Sequence, residues 1–186
     1  MNDQAVIERT RDWIVRFVIG LDLCPFARSV FDAGRIRFVV SHAANGRALL
    51  TDLGRELDRL ALTPIHEIET TLLIHPGVLG DFLDYNDFLG DADRLLEARK
   101  LDGVIQIASF HPGYQFAGTA PDAVENYTNR SPYPMLHLLR EASVTAVADD
   151  VEALRAIPRR NIATMRGLGL ADVLRRLERL NDRDTE

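Results

Sequence analysis

The chain has 186 residues, of which 46% are hydrophobic and 27% are charged, and its formal net charge is −6. This acidic surplus excludes a general nucleic-acid binder, which needs a basic surface. The first residues have neither the basic nor the apolar segment of a signal peptide, and no apolar run reaches the ~20 residues that cross a bilayer. We therefore expect a cytoplasmic protein that contacts neither nucleic acid nor membrane.

The length is typical of a single globular domain, so we expect one domain over residues 1–186 with a frayed polar tail at about 181–186. Because Cys24 is the only cysteine, an internal disulfide is impossible. The oligomeric state stays open at this point.

The first half of the chain alternates helical and extended patterns. Residues 5–20 have the apolar spacing of an amphipathic helix that ends at Gly20. A helix begins at the N-cap Asn45 and stops at Pro64, and another spans 79–99. Strands are predicted over 36–41, 68–74 and 103–110. Two helical crossovers of this length predict three parallel strands.

The second half begins with a long loop over residues 111–133, rich in proline, glycine and aromatic residues. Loops of this length usually have a function, and the aromatic residues argue against disorder. Helical segments are predicted after the loop, over 134–141, 144–155, 159–166 and 170–180. A short strand over 143–148 is an alternative. The pattern predicts an α/β fold: a small, mainly parallel βαβαβ sheet with a leading helix, a helical C-terminal part and helices mainly on one face.

Three histidines directly follow the three predicted strands. They are His42, His75 and His111. Ligands of parallel α/β sheets bind outside the carboxyl ends of the strands, so these imidazoles are candidates for proton transfer or for a divalent-metal site. Side chains alternate along a strand, however, and this alternation directs His42 and His75 to opposite faces. The sequence has no closely spaced metal-ligand motif, and we predict no cofactor. His111 is the main candidate because it opens the long loop.

The loop also contains residues suited to a small polar ligand. The guanidinium of Arg130 offers a planar set of donors for a carboxylate or phosphate. Its polar neighbours are Asn126, Tyr127, Asn129 and Ser131. The alternative is a turn-rich connection in which the asparagines bind local backbone groups.

Further candidates lie outside the loop. His137 and Arg140 fall in the predicted helix that follows it, and Arg160 and Asn161 follow Pro158, which suits a helix start. Cys24 lies among apolar neighbours and is either a packed side chain or a nucleophile. Gly167 and Gly169 are predicted to terminate helices.

Several of these segments resemble an uncharacterised bacterial family, domain of unknown function 1415. The matching stretches are Leu23-Cys24-Pro25-Phe26-Ala27, Phe110-His111-Pro112, Phe116-Ala117-Gly118, Asn126 through Pro134, His137-Leu138-Leu139-Arg140-Glu141, Ile157-Pro158 and Arg160-Asn161-Ile162. The resemblance covers nearly the whole chain and implies a single compact bacterial domain. It implies no activity.

The leading hypothesis is an enzyme-like domain that binds a small polar or anionic metabolite at the carboxyl edge of the sheet. His111 would transfer a proton, Arg130 would hold the anion, and hydrolysis or group transfer would fit these roles. One alternative is a non-catalytic domain for ligand sensing or protein interaction. Another is a metal hydrolase that uses the three strand-end histidines.

Overall fold

A computed structural model describes residues 2–146 and 151–181. Its elements are α1 (Asp3–Trp13), a π-helical segment (Ile14–Ile19), α2 (Ala27–Asp32), β1 (Ile36–Val40), α3 (Gly46–Leu62), β2 (Thr70–Ile74), α4 (Phe82–Ala98), β3 (Ile105–Phe110), a 3-10 helix (Val124–Thr128), β4 (Met135–Arg140), α5 (Glu141–Ala146), α6 (Val151–Leu168) and α7 (Leu170–Asn181). The predicted tail beyond Asn181 lies outside the described residues.

Local sequence signals explain where α3 and α4 begin. The side chain of Asn45 accepts a hydrogen bond from the Ala48 amide at the start of α3, and Asp81 accepts from Leu83 and Asp84 at the start of α4. Such side chains satisfy amides that have no partner within the helix. The N-cap predicted at Asn45 is confirmed.

The four strands form a mixed sheet in the order β1-β2-β4-β3. β1 and β2 are parallel, whereas β4 is antiparallel to both β2 and β3. The α/β class is confirmed, and the prediction of a mainly parallel sheet is wrong. The strands β1, β2 and β3 do run in one direction, but β4 is inserted between β2 and β3.

The inserted strand occupies the segment that was predicted to be a helix over 134–141. Its residues Met135–Arg140 pair with β2 on one side and with β3 on the other. Met135, Leu136 and Leu138 are fully buried. A central strand covered on both faces has an apolar run without alternation, and such a run also fits a helix. His137 and Glu141, four residues apart, are therefore not neighbours on a helix face.

The C-terminal part is helical as predicted, with different boundaries. The alternative of a strand over 143–148 is wrong where it is described, since Ser143 lies in α5; residues 147–148 lie outside the described part. Pro158 lies inside α6 rather than at a helix start. Gly169 separates α6 from α7 with φ +74°, a conformation that glycine adopts without strain, while Gly167 lies within α6.

Helices cover both faces of the sheet, whereas helices mainly on one face were expected. On one face, α3 and α4 pack on sheet residues that include Leu73, Leu136 and Leu138. On the other face, α1, the π-helical segment and α6 and α7 pack with Leu72, Ile74 and Met135. Successive side chains of β2 and β4 thus pack alternately into the two hydrophobic cores, one on each face of the sheet.

Among the helices of residues 2–146 and 151–181, none combines the length and the apolar character that crossing a membrane requires.

Candidate functional site

The carboxyl ends of β1, β2 and β3 lie at one edge of the sheet, and β4 begins at the same edge. The backbone of His42, His75 and His111 follows these three ends. The His42 side chain is 71% exposed and its Nε2 lies 3.0 Å from Asp3 Oδ2 on α1. The imidazoles of His75 and His111 are buried instead, so the three side chains do not converge.

His75 and His111 both contact the Tyr85 ring. The centroid of that ring is 5.8 Å from the His75 centroid and 5.0 Å from the His111 centroid. His75 Nδ1 donates to the Val78 carbonyl. His111 Nε2 donates to the Leu79 carbonyl, and its Nδ1 accepts from the Gly113 amide at 2.9 Å. The two imidazoles therefore bind backbone groups of the segments that follow β2 and β3.

Both buried histidines are neutral at physiological pH. Desolvation lowers the pKa of His75 to about 4, and it also lowers the pKa of His111 below its ordinary value. In residues 2–146 and 151–181 no three histidine, cysteine or acidic side chains are grouped so that they could hold a metal ion.

The asparagines of the loop bind the loop itself. Asn126 is fully buried; its Oδ1 accepts from the Phe116 amide and the Thr119 hydroxyl, and its Nδ2 donates to the Ala120 carbonyl. Asn129 Nδ2 donates to the Ser109 carbonyl on β3. These contacts correspond to the alternative of a turn-rich connection, and they use the groups that were predicted to bind a ligand.

Arg130 is held by the loop from two directions. Its Nε donates to the Tyr114 carbonyl at 3.1 Å and one terminal nitrogen donates to the Pro121 carbonyl at 2.6 Å. The guanidinium carbon lies 4.3 Å from the Tyr127 ring centroid. The loop therefore fixes the position of the Arg130 positive charge.

Arg130 lines a cavity of about 280 Å³, which we call the basic cavity. Its walls are formed by Arg9, Pro112, Tyr127, Arg130, Ser131, Pro132 and Leu177. The loop contributes five of these residues, α1 contributes Arg9 and α7 contributes Leu177. Ser131 Oγ donates to the Tyr133 carbonyl, so its oxygen remains able to accept a hydrogen bond. The imidazole of His111 is not part of this wall.

Two candidates from the predicted helix after the loop have separate roles on β4. The four hydrogen bonds of the Arg140 guanidinium go to the carbonyls of Leu60, Thr63 and Ile68. Arg140 thus supplies donors to backbone carbonyls at the C-terminal end of α3. His137 Nε2 lies 2.7 Å from the Thr70 hydroxyl, and desolvation lowers the pKa of His137 to about 4. Neither side chain lines the basic cavity.

Cys24 lies at a second cavity of about 90 Å³, which we call the apolar chamber. Its walls include Trp13, Cys24, Leu72, Phe110, His137 and Ser143. Burial raises the pKa of the Cys24 thiol, although the amides of Phe26 and Ala27 act in the opposite direction. The thiol is neutral at physiological pH, which is unfavourable for a nucleophile.

Arg160 and Asn161 hold the turn that precedes Cys24. Arg160 donates to the Asp22 carbonyl at 2.7 Å, and Asn161 Nδ2 donates to the Leu23 carbonyl at 2.7 Å. They lie away from the residues of the basic cavity. The predicted candidates are thus divided between the buried histidine pair, the basic cavity, the apolar chamber and structural contacts.

The sequence does not mark Arg9 as a site residue. Arg9 lies on the polar side of the first helix, where its spacing is that of an ordinary solvated arginine. Its guanidinium carbon is 5.8 Å from the Tyr133 ring centroid, so the helix faces the loop at this point. No local pattern relates α1 to residues 127–133.

The fold and its cavities define a mixed α/β protein with a basic cavity beside the sheet edge and an apolar chamber on one sheet face. The chain belongs to the family described as a protein of unknown function, DUF1415, whose family model matches residues 5–175. This confirms the family indicated by the sequence motifs. Searches of curated proteins and of solved structures found no match to the chain.

Proposed function

We propose that this protein binds a small metabolite with a carboxylate or phosphate group in the basic cavity. The observation that supports this proposal is the presence of two arginines, Arg9 and Arg130, in the wall of a single cavity. Guanidinium groups form strong, directional hydrogen bonds with carboxylate and phosphate oxygens.

The shape and lining of the cavity favour a ligand with an apolar part. Pro112, Pro132 and Leu177 supply apolar surface in the same wall as the polar groups. A volume of about 280 Å³ is well above what a single water molecule requires. A carboxylate on a small ring or a short chain fits this description.

The proposal is one of binding and does not include a reaction. Hydrolysis or group transfer would require a proton-transfer group beside the ligand. His111 was the candidate for that role, but its imidazole donates to Leu79 and contacts Tyr85 outside the cavity wall. The non-catalytic ligand-binding alternative therefore has the better support.

The test compares two arginine variants with a control of equal charge. We expect benzoate or inorganic phosphate to bind the wild-type protein in isothermal titration calorimetry. Arg130→Met and Arg9→Met should each weaken binding by about tenfold or more, because each removes a charged hydrogen-bond donor. Arg47→Met, an exposed position on α3, changes the net charge equally and should leave binding unchanged.

Two results would contradict the proposal. One is the absence of measurable binding of both anions. The other is an equal loss of affinity in Arg47→Met and Arg130→Met, since this would indicate attraction by net charge alone. Circular dichroism of each variant checks that the loss of affinity does not come from unfolding.

A further inference from the structure

The apolar chamber lies on the opposite side of β4 from the α3 and α4 layer. The π-helical segment, α2 and α5 close it against the sheet, and the side chains of Leu72 and Phe110 form its sheet-side wall. Its lining is almost entirely apolar, so small apolar groups are favoured inside it. The basic cavity shares none of its wall residues with this chamber.

Two hydrogen-bond donors in the chamber wall lack an acceptor. Trp13 is only 2% exposed, and its indole N–H has no partner within the described part of the chain. The Ser143 hydroxyl is also buried and has no partner among the residues that the structure describes. Buried polar groups are nearly always hydrogen-bonded, so two such donors in one wall indicate a missing acceptor.

The electrostatics of the chamber favour a neutral occupant. The Thr70 hydroxyl donates to the Leu138 carbonyl at 2.6 Å and therefore accepts from His137 Nε2. Desolvation lowers the pKa of His137 to about 4, so the imidazole carries no positive charge and its single proton lies on Nε2. The wall also contains Glu69, whose Oε2 lies 3.1 Å from an Arg35 terminal nitrogen but accepts no hydrogen bond within the described residues. An anionic ligand would find a carboxylate and no unpaired cation in the described wall.

We propose that the apolar chamber binds a small neutral carbonyl compound, whose oxygen accepts a hydrogen bond from Trp13 or Ser143. The carbonyl group supplies the acceptor that both donors lack. A volume of about 90 Å³ is well above what a single water molecule requires, which leaves room for a molecule of a few non-hydrogen atoms. This site is separate from the basic cavity and does not depend on the function proposed for that cavity.

The chain provides two built-in reporters of the chamber, because Trp13 is its only tryptophan and Cys24 its only cysteine. We expect butanone to change the Trp13 fluorescence of the full chain in a saturable way, with a Kd of about 1–10 mM as is reasonable for so small a ligand. Butanone should also slow the alkylation of Cys24 by iodoacetamide. Propionate, which matches butanone in size but is charged, should produce neither effect.

Variants of the two donors test the hydrogen bond. Ser143→Ala is read by Trp13 fluorescence, and Trp13→Phe is read by Cys24 alkylation. At least one of them should weaken butanone binding by about fivefold, which is typical of one hydrogen bond. Thr145→Ala is the matched control, because it removes an exposed hydroxyl from the same helix, α5, outside the chamber wall. This variant should bind butanone as the wild type does.

The proposal is overturned if butanone neither shifts the fluorescence nor protects Cys24, which would make the chamber a packing void. It is equally overturned if propionate binds as well as butanone, or if both donor variants retain full affinity. Ser143→Ala removes only a hydroxyl that has no partner among the described residues and should fold, so the test does not depend on the stability of Trp13→Phe.

Discussion

At the scale of single residues, Arg140 shows how one side chain can replace several missing backbone partners. The last carbonyls of a helix have no amide partner within the helix. Arg140 donates to Leu60 and Thr63 at the end of α3 and to Ile68 just before β2. A ligand-binding role was predicted for Arg140 from its sequence context, but its donors bind the turn between α3 and β2.

We expect Arg140→Ala to lower the free energy of unfolding by about 2–4 kcal/mol, because three carbonyls lose a charged donor. Urea unfolding measures this change. Arg94→Ala is the matched control: its side chain is 71% exposed and pairs with Asp91 one turn away, so the change should be within about 0.5 kcal/mol. Equal effects of the two substitutions would refute the capping role.

At the scale of elements, Tyr85 joins α4 to the edge of the sheet where the candidate residues lie. Its ring is fully buried and contacts both His75 and His111. Its hydroxyl donates to the Met135 carbonyl at 2.9 Å and accepts from the Phe110 amide at 3.0 Å. One hydroxyl thus binds the first residue of β4 and the last residue of β3, which are paired in the sheet. Burial raises the pKa of Tyr85, so its hydroxyl stays protonated.

We expect Tyr85→Phe to lower the free energy of unfolding by about 1–3 kcal/mol, because both Met135 and Phe110 lose a buried partner. Tyr114→Phe is the control, since its hydroxyl makes no hydrogen bond within residues 2–146 and 151–181. Chemical denaturation of both variants compares them. A Tyr85→Phe protein as stable as Tyr114→Phe would show that the hydroxyl does not join these elements.

At the scale of the whole molecule, two neutral histidines, His75 and His137, connect stability to pH. The pKa of His75 and that of His137 are both lowered to about 4 by desolvation, from an ordinary value of 6.5. At pH values between about 4 and 6.5, the two imidazoles are largely protonated in the unfolded chain but remain neutral in the folded chain. Stability is therefore complete above about pH 6.5 and falls as the pH decreases toward 4.

We expect the free energy of unfolding to decrease by about 2 kcal/mol per histidine between pH 6.5 and pH 5. Urea unfolding at closely spaced pH values gives the slope. His75→Gln and His137→Gln should each reduce this slope, whatever their effect on stability at pH 7. The exposed His66→Gln should preserve the slope, and a slope that neither buried variant changes would contradict this explanation.

The sequence determined the local elements. The apolar spacing and the caps predicted α1, α3 and α4 and the three strands β1, β2 and β3 within a few residues, because these signals act between near neighbours. The same local rules failed for Met135–Arg140, whose unbroken apolar run fits a helix as well as a strand. Pairing with β2 and β3 decided this segment, and that pairing is not local.

The candidate site followed the same division. The sequence drew attention to His111, Arg130 and Cys24, whose residue types suit chemistry. Only the tertiary structure decided that these three side chains belong to different surroundings and that Arg9 of α1 faces the loop of Arg130. The chemistry of each side chain can be read from the sequence. A cavity wall that contains residues over a hundred positions apart, such as Arg9 and Arg130, forms only when the helices pack on the two faces of the sheet.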